Sequence, residues 1–131
     1  MTVGSELYDK GLGIRREVLG TEYVDRSLAG ASAFARPLQD LVTEYCWGGI
    51  WGRPGLPRET RSLLNIAMLA ALNRQHELRL HVKGALTNGC TRDEIQEVIL
   101  QVLIYCGAPA ALEASRSAET AFAELESEAR S

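Results

Sequence analysis

The stretch HELRLH, residues 76–81, holds two imidazoles and a carboxylate, groups that bind metals or move protons. In a helical zinc site of the H-E-x-x-H kind the histidines stand four apart and share a face. His76 and His81 stand five apart. At about 100° per residue their side chains diverge by about 140° on a helix, so a single metal ion is not expected to take both. The chain has 2 histidines and no closely spaced cysteine pair, and no metal site is expected. Glu77 and His81 are the pair that shares a face, at the spacing where helical side chains meet.

Leu78, Val82 and Leu86 form the apolar stripe of this helix, and Glu77 and His81 lie along its border, with Gly84 and Ala85 leaving a shallow surface beside them. Fully exposed, such a pair contributes roughly a few tenths of a kcal/mol. At the margin of a core, the carboxylate fixes the tautomer and orientation of the ring and raises its pKa, which prepares a general acid. His81 and Glu77 are therefore the candidate catalytic residues.

A second constellation lies upstream. WGGIWGRPGLPRETRSL holds Trp47, Trp51, Arg53, Arg58 and Arg61 within one short stretch. The tryptophans are four apart across a Gly-Gly break, and either plug a gap between helices or line a concave surface. Arg58 reads as a solvated charge. Arg53, in a Gly/Pro-rich loop, and Arg61, ahead of an apolar helix, are each placed to clamp a carboxylate through two parallel hydrogen bonds. A small anionic molecule fits both.

These residues must be positioned by helices, because alternating β-branched runs are scarce and the segments between Gly and Pro are rich in helix formers. The spacing predicts a first helix over about 6–19, ending at Gly20, and a second over about 24–35. A third begins at Pro37, where a missing amide hydrogen costs nothing, and stops at Gly48-Gly49. The loop GGIWGRPGLPRET follows. A nearly apolar helix from about residue 57 reads as buried on several sides. The helix carrying Glu77 and His81 ends at Asn88-Gly89. Thr91 and Glu94 form a capping box that opens the next helix. A last helix, from about 110 to 125, carries Ala111, Ala114, Ala118, Ala121 and Leu125 at helical spacing, and the Glu/Ser-rich end is expected to fray.

At 131 residues, with 46% hydrophobic and 24% charged residues, the chain reads as one globular domain, its core over about 7–125 and a frayed tail at 126–131. The net charge of −3 comes without a basic stripe or stacking platform, so nucleic acid is not an expected partner. No apolar run approaches the roughly 20 residues that cross a bilayer. The N-terminal MTVGSELYDK lacks the apolar region of a secretory leader, and the expected location is the cytoplasm. Cys46, Cys90 and Cys106 are widely separated and read as small packing residues in a reducing compartment.

The motif WGGIWGRPGLPRETRSL, with the segment from AMLAALNRQHELRLH through TNGCTRDEIQEV to IYCGAPAA, resembles the carboxymuconolactone decarboxylase family, and weaker similarity runs from about Leu7 to Leu125. Among the matching residues are Trp47, Trp51, Arg53, Arg61, Glu77, His81, Glu94 and Tyr105. The resemblance implies an all-α, AhpD-like domain of about six helices. It also implies a symmetric homo-oligomer, often a hexamer, with trimer or dimer as smaller alternatives. The implied reaction is loss of carbon dioxide from 4-carboxymuconolactone to give 3-oxoadipate enol-lactone, in the protocatechuate branch of aromatic catabolism, with no cofactor. The peroxidase relatives carry Cys-x-x-Cys-x-x-x-His; aligned on His81, those cysteine positions hold Arg74 and Glu77, which excludes disulfide chemistry there.

On this reading His81 supplies the proton and Glu77 orients it. Arg53 and Arg61 hold the substrate's oxygens, and Trp47 and Trp51 keep the departing carboxylate poorly hydrated. Glu44, with Tyr45 and Gly49, tunes the pocket, since TEYCWGG departs from close members of the family. Alternatives are a decarboxylase or isomerase of a related carboxylated lactone or β-oxo acid, and a non-catalytic oligomeric binding protein.

Overall fold

The structure, a computed structural model, describes residues 5–130. Residues 1–4, part of the stretch read above for a leader, and Ser131 lie outside them. Among the described residues there are seven α-helices, one π-helix and no strand. They gather into two compact units, Met1–Pro57 and Arg58–Ser131. Among the described residues, buried apolar side chains form one cluster in each unit. No helix among the described residues is long and apolar enough to cross a membrane.

The first unit contains α1 (Glu6–Leu19), α2 (Thr21–Ala29), α3 (Arg36–Leu41) and the π-helix (Val42–Ile50). Ser5 caps α1 by accepting from the amide of Tyr8, satisfying one of the amides a helix start leaves unpaired. The expected second helix over 24–35 is shorter and earlier, because Gly30 ends it and α3 starts afresh at Arg36 with Pro37 in its first turn. The described residues thus hold seven α-helices, the number read from the spacing, against the about six that the family resemblance implies.

The third helix does not stop at Gly48-Gly49. It passes through them as a π-helix to Ile50. The change of ladder falls where the Thr43 hydroxyl donates to the Gln39 carbonyl at 2.8 Å, competing for the oxygen that an α-helix would give to the Thr43 amide. Further along, the amide of Trp51 donates to the Cys46 carbonyl, five residues back, at 3.0 Å.

Glycine lets α1 and the π-helix touch backbone to backbone. A Cβ on Gly11 would lie 1.9 Å from the Thr43 carbonyl oxygen, and one on Gly48 would lie 2.5 Å from that of Leu7. Ile14, Val18, Trp47 and Trp51 form the apolar core of this unit. Beside it, Arg15 is buried and donates from Nη1 to the Thr43 hydroxyl at 3.0 Å.

The second unit contains α4 (Arg58–Ala71), α5 (Gln75–Thr87), α6 (Arg92–Cys106) and α7 (Ala108–Arg130). Its core joins Ile66, Leu78, Val82, Ile95 and Val102 to the small residues Ala111, Ala114, Ala118 and Ala121 of α7, which let that helix pack closely. The capping box forms: the Glu94 amide donates to Thr91 Oγ1 at 3.0 Å, and the Thr91 amide donates to Glu94 Oε1 at 2.9 Å.

Helix α7 continues past Glu124, where fraying is expected, as far as Arg130. Its polar residues have partners there: Lys83 pairs with Glu124 and Glu128, and Arg92 with Glu126. Helix α4, read as buried on several sides, leaves one side open: Leu64 and Met68, with Leu72 just past its end, form an exposed stripe at four-residue spacing.

Candidate active site

Helix α5 sets the position of the sequence-predicted catalytic pair. Leu78, Val82 and Ala85 are fully buried and fix which side of the helix faces the core of the second unit. His81, next to Val82, comes to rest half-buried, and Glu77, one turn earlier, stands exposed. His76 is also exposed, on a different side of the helix from His81, as the five-residue spacing requires. Among the described residues no group of three or more His, Cys, Asp or Glu side chains is arranged to hold a metal ion.

Helix α4 supplies the contact that the sequence reading missed. Nδ2 of Asn65 lies 3.4 Å from Nδ1 of His81. Two further polar links run between the same segments: Asn88 Nδ2 donates to Ser62 Oγ at 2.9 Å, and Cys90 Sγ donates to the Glu59 carbonyl at 3.4 Å. Residues 59, 62 and 65 succeed each other by about one turn along α4, so these links hold one face of α4 in register with α5 and its C-terminal turn. A signal for Asn65 was present in the chain. It interrupts the apolar run SLLNIAMLAA, and a polar amide on a helix that packs against a core needs a partner.

The electrostatics of His81 reverse the expectation of a raised pKa. Burial pushes it from 6.5 down to about 4, and the opposing charge of Glu77 recovers only part of the loss. Glu77 is exposed, so water screens its charge, whereas the ring itself is largely removed from solvent and its cationic form is disfavoured. The imidazole is neutral at physiological pH. It can donate one hydrogen bond and accept one.

Arg61 lies half-buried in the first turn of α4, on the same unit as His81 and Glu77. The remaining sequence-predicted residues belong to the first unit. Trp47 and Trp51 are buried, and their rings stack with centroids 4.8 Å apart and planes at 23°. This follows from the unbroken helix through Gly48-Gly49, which keeps residues four apart on one side.

Arg53 is exposed just beyond the π-helix, and its amide donates to the Ile50 carbonyl at 3.0 Å. Glu44 is buried, and its Oε2 accepts from the Ser5 hydroxyl at 2.9 Å, tying the cap of α1 to the π-helix. A groove of about 310 Å³ between α6 and α7, with Arg92, Ile99, Ser115 and Phe122 in its walls, contains none of the candidate catalytic or substrate-binding residues.

What this arrangement offers is a half-buried neutral imidazole held by an amide, on a helix pair kept in register by further polar links. Such a group suits hydrogen bonding to an oxygen that gains charge during a reaction.

Comparison with known proteins extends the reading. The chain is 46% identical over 118 residues to 4-carboxymuconolactone decarboxylase of Acinetobacter baylyi, covering 90% of this chain and 88% of that protein. It is also 46% identical over 108 residues to nitrosuccinic acid decarboxylase of Metarhizium robertsii, covering 82% of this chain and 76% of that protein. The model of the carboxymuconolactone decarboxylase family matches residues 36–120. By that match, and by identity along most of its length, the chain belongs to the carboxymuconolactone decarboxylase family.

Proposed function

We propose that this protein is a decarboxylase that converts 4-carboxymuconolactone to 3-oxoadipate enol-lactone and carbon dioxide, with no cofactor. The observation that carries the reading is the identity with 4-carboxymuconolactone decarboxylase along 90% of the chain. The family match at 36–120 runs across both units, which favours treating the chain as one functional domain.

In this reaction the bond to the departing carboxylate breaks, and its electron pair passes through the ring double bond to the lactone carbonyl oxygen. A proton taken up at carbon completes the product. The protein must therefore hold an anion and stabilise charge on one oxygen. His81, neutral because it is buried, offers its N–H to that oxygen. One well-placed donor of this kind typically contributes about 10²–10³ in rate. A neutral donor avoids burying a cation, and the lone pair on its other nitrogen is left to an orienting partner.

Arg53 and Arg61 are the proposed holders of the substrate's anionic oxygens. Trp47 and Trp51, stacked within the core of the first unit, support the segment from which Arg53 projects. Glu44, bonded to Ser5, holds the local backbone. Glu77 acts on His81 through its charge.

A second reading has a specific observation behind it, the equal identity to nitrosuccinic acid decarboxylase. Nitrosuccinate carries its nitro group on a carbon that bears a carboxylate. Loss of carbon dioxide there also delivers an electron pair to an oxygen, now of the nitro group, and the same N–H would serve.

Incubating the protein with freshly generated 4-carboxymuconolactone, and separately with nitrosuccinate, while following absorbance and released carbon dioxide separates the readings. Gas from the lactone is expected. Gas from nitrosuccinate alone would replace the substrate. Consumption without gas would indicate an isomerase, and turnover of neither would leave a binding protein.

The proposal includes a homo-oligomer, with the hexamer implied by the family resemblance. The exposed stripe of Leu64 and Met68 on α4 and Leu72 just past its end, with Ile104 and Tyr105 on α6, supports burial between copies. A cytoplasmic location suits the three free thiols of Cys46, Cys90 and Cys106.

A further inference from the structure

The sequence motif that marks His81 says nothing of which ring nitrogen carries its proton, and the proposed function depends on that. A neutral imidazole has one N–H and one lone pair. If the N–H points toward the protein, the ring offers a substrate oxygen only a lone pair, which repels it.

Asn65 decides the matter by chemistry. Its Nδ2 is a donor with no acceptor capacity, and it lies 3.4 Å from His81 Nδ1. The contact is favourable only if Nδ1 carries the lone pair, which leaves the proton on Nε2. The distance is at the long end for a hydrogen bond, but the approach is set by helix packing. Ser62, Ile66 and Ala70 of α4 and Leu78, Val82 and Ala85 of α5 are all buried, and the Asn88–Ser62 and Cys90–Glu59 bonds flank them. Asn65 is therefore presented to the ring by a rigid pair of helices rather than by a loop. The charged group that acts on the ring from its own helix is Glu77.

We propose that Asn65 is a positioning residue, which by donating to Nδ1 of His81 locks the neutral ring as its Nε2–H tautomer and aims that proton at the substrate oxygen gaining charge. The inference rests on the role given to His81 above. It does not require Asn65 to touch substrate, so its loss lowers kcat more than it raises KM.

The test uses the whole chain carrying the exposed substitution His76→Gln, so that His81 contributes the only imidazole signals. Nitrogen-15 spectra at neutral pH, with couplings to the ring protons, report which nitrogen is protonated. In this parent, Nε2 is expected to be the protonated, pyrrole-like nitrogen and Nδ1 the bare one.

Asn65→Asp replaces the donor by an acceptor and should move the proton to Nδ1 or protonate both nitrogens. It should lower kcat by about 10²–10⁴, the range between losing one oriented donor and holding a catalytic histidine in the wrong tautomer. Asn65→Leu should leave the two tautomers mixed. A parent spectrum showing Nδ1–H, or an Asn65→Asp variant that folds with an unchanged nitrogen spectrum, overturns the proposal.

Should Asn65→Asp fail to fold, the parent and Asn65→Leu spectra still decide the question. The tautomer measurement needs no substrate, so it stands even if neither acid is turned over. Turnover accompanied by the opposite tautomer would sink this inference and leave the decarboxylase reading intact.

Discussion

Acid titration of the native state should read the burial of His81 directly. The ring titrates at 6.5 when unperturbed and at about 4 in the folded chain. Between those values the unfolded chain binds a proton at His81 that the folded chain does not. Stability is therefore retained above pH 6.5 and falls as the pH drops toward 4. Each pKa unit corresponds to about 1.36 kcal/mol, so the full depression is worth about 3 kcal/mol. The ring keeps some exposure to solvent, and solvent screening reduces the expected loss to about 2 kcal/mol.

Against a total stability of about 5–15 kcal/mol for an ordinary domain, that loss is easily measured. Urea melts of the wild type and of His81→Gln, run from pH 7.5 to 4, isolate it, because every other titrating group is shared by the two proteins. The wild type should lose about 2 kcal/mol more than the variant over this range. Parallel stability curves would show that His81 is not desolvated and would remove the basis for a neutral donor. The same neutrality predicts that kcat stays level from about pH 5.5 to 8, whereas an imidazolium acid with a raised pKa would lose activity across the upper part of that range.

Two further predictions concern the frame that holds the first unit. Gly11→Ala would place a methyl 1.9 Å from the Thr43 carbonyl oxygen, forcing α1 away from the π-helix. It should cost about 3 kcal/mol, at the upper end for overpacking, and a thermal melt matching the wild type would refute the backbone contact. Arg15 is buried, its Nε has no hydrogen-bond partner, and its pKa is lowered by desolvation with no carboxylate among the described residues offsetting it. Arg15→Met keeps the volume, and Thr43 still donates to Gln39. Stability should rise by about 1–2 kcal/mol, and a lowered melting temperature would show that the guanidinium is better compensated than its contacts indicate.

Much of the chain's organisation is legible without coordinates because its signals are local. The Thr91–Glu94 capping box, the stop near Asn88-Gly89 and the shared face of Glu77 and His81 all follow from spacings of three or four residues. The alanine stripe of α7 follows from helical periodicity, and its four alanines are buried in the structure. The family, too, is marked by residue types at set intervals. Sequence alone was therefore enough to give the helical class and the face on which His81 stands.

Tertiary structure decided the sign of the His81 shift, because desolvation depends on what covers the ring, and the covering helix α4 is distant in sequence. It also supplied Asn65, sixteen residues away, as the partner of Nδ1. In the first unit the Gly48-Gly49 pair read as a helix stop lies inside a helix that continues, with Gly48 where two backbones touch and the tryptophans stacked to either side. Glu44, read as a pocket residue, acquired Ser5 as its donor across 39 positions. Spacing along a chain sets which side chains share a face. Only packing sets what those faces meet, and with it the local dielectric that fixes a proton's affinity.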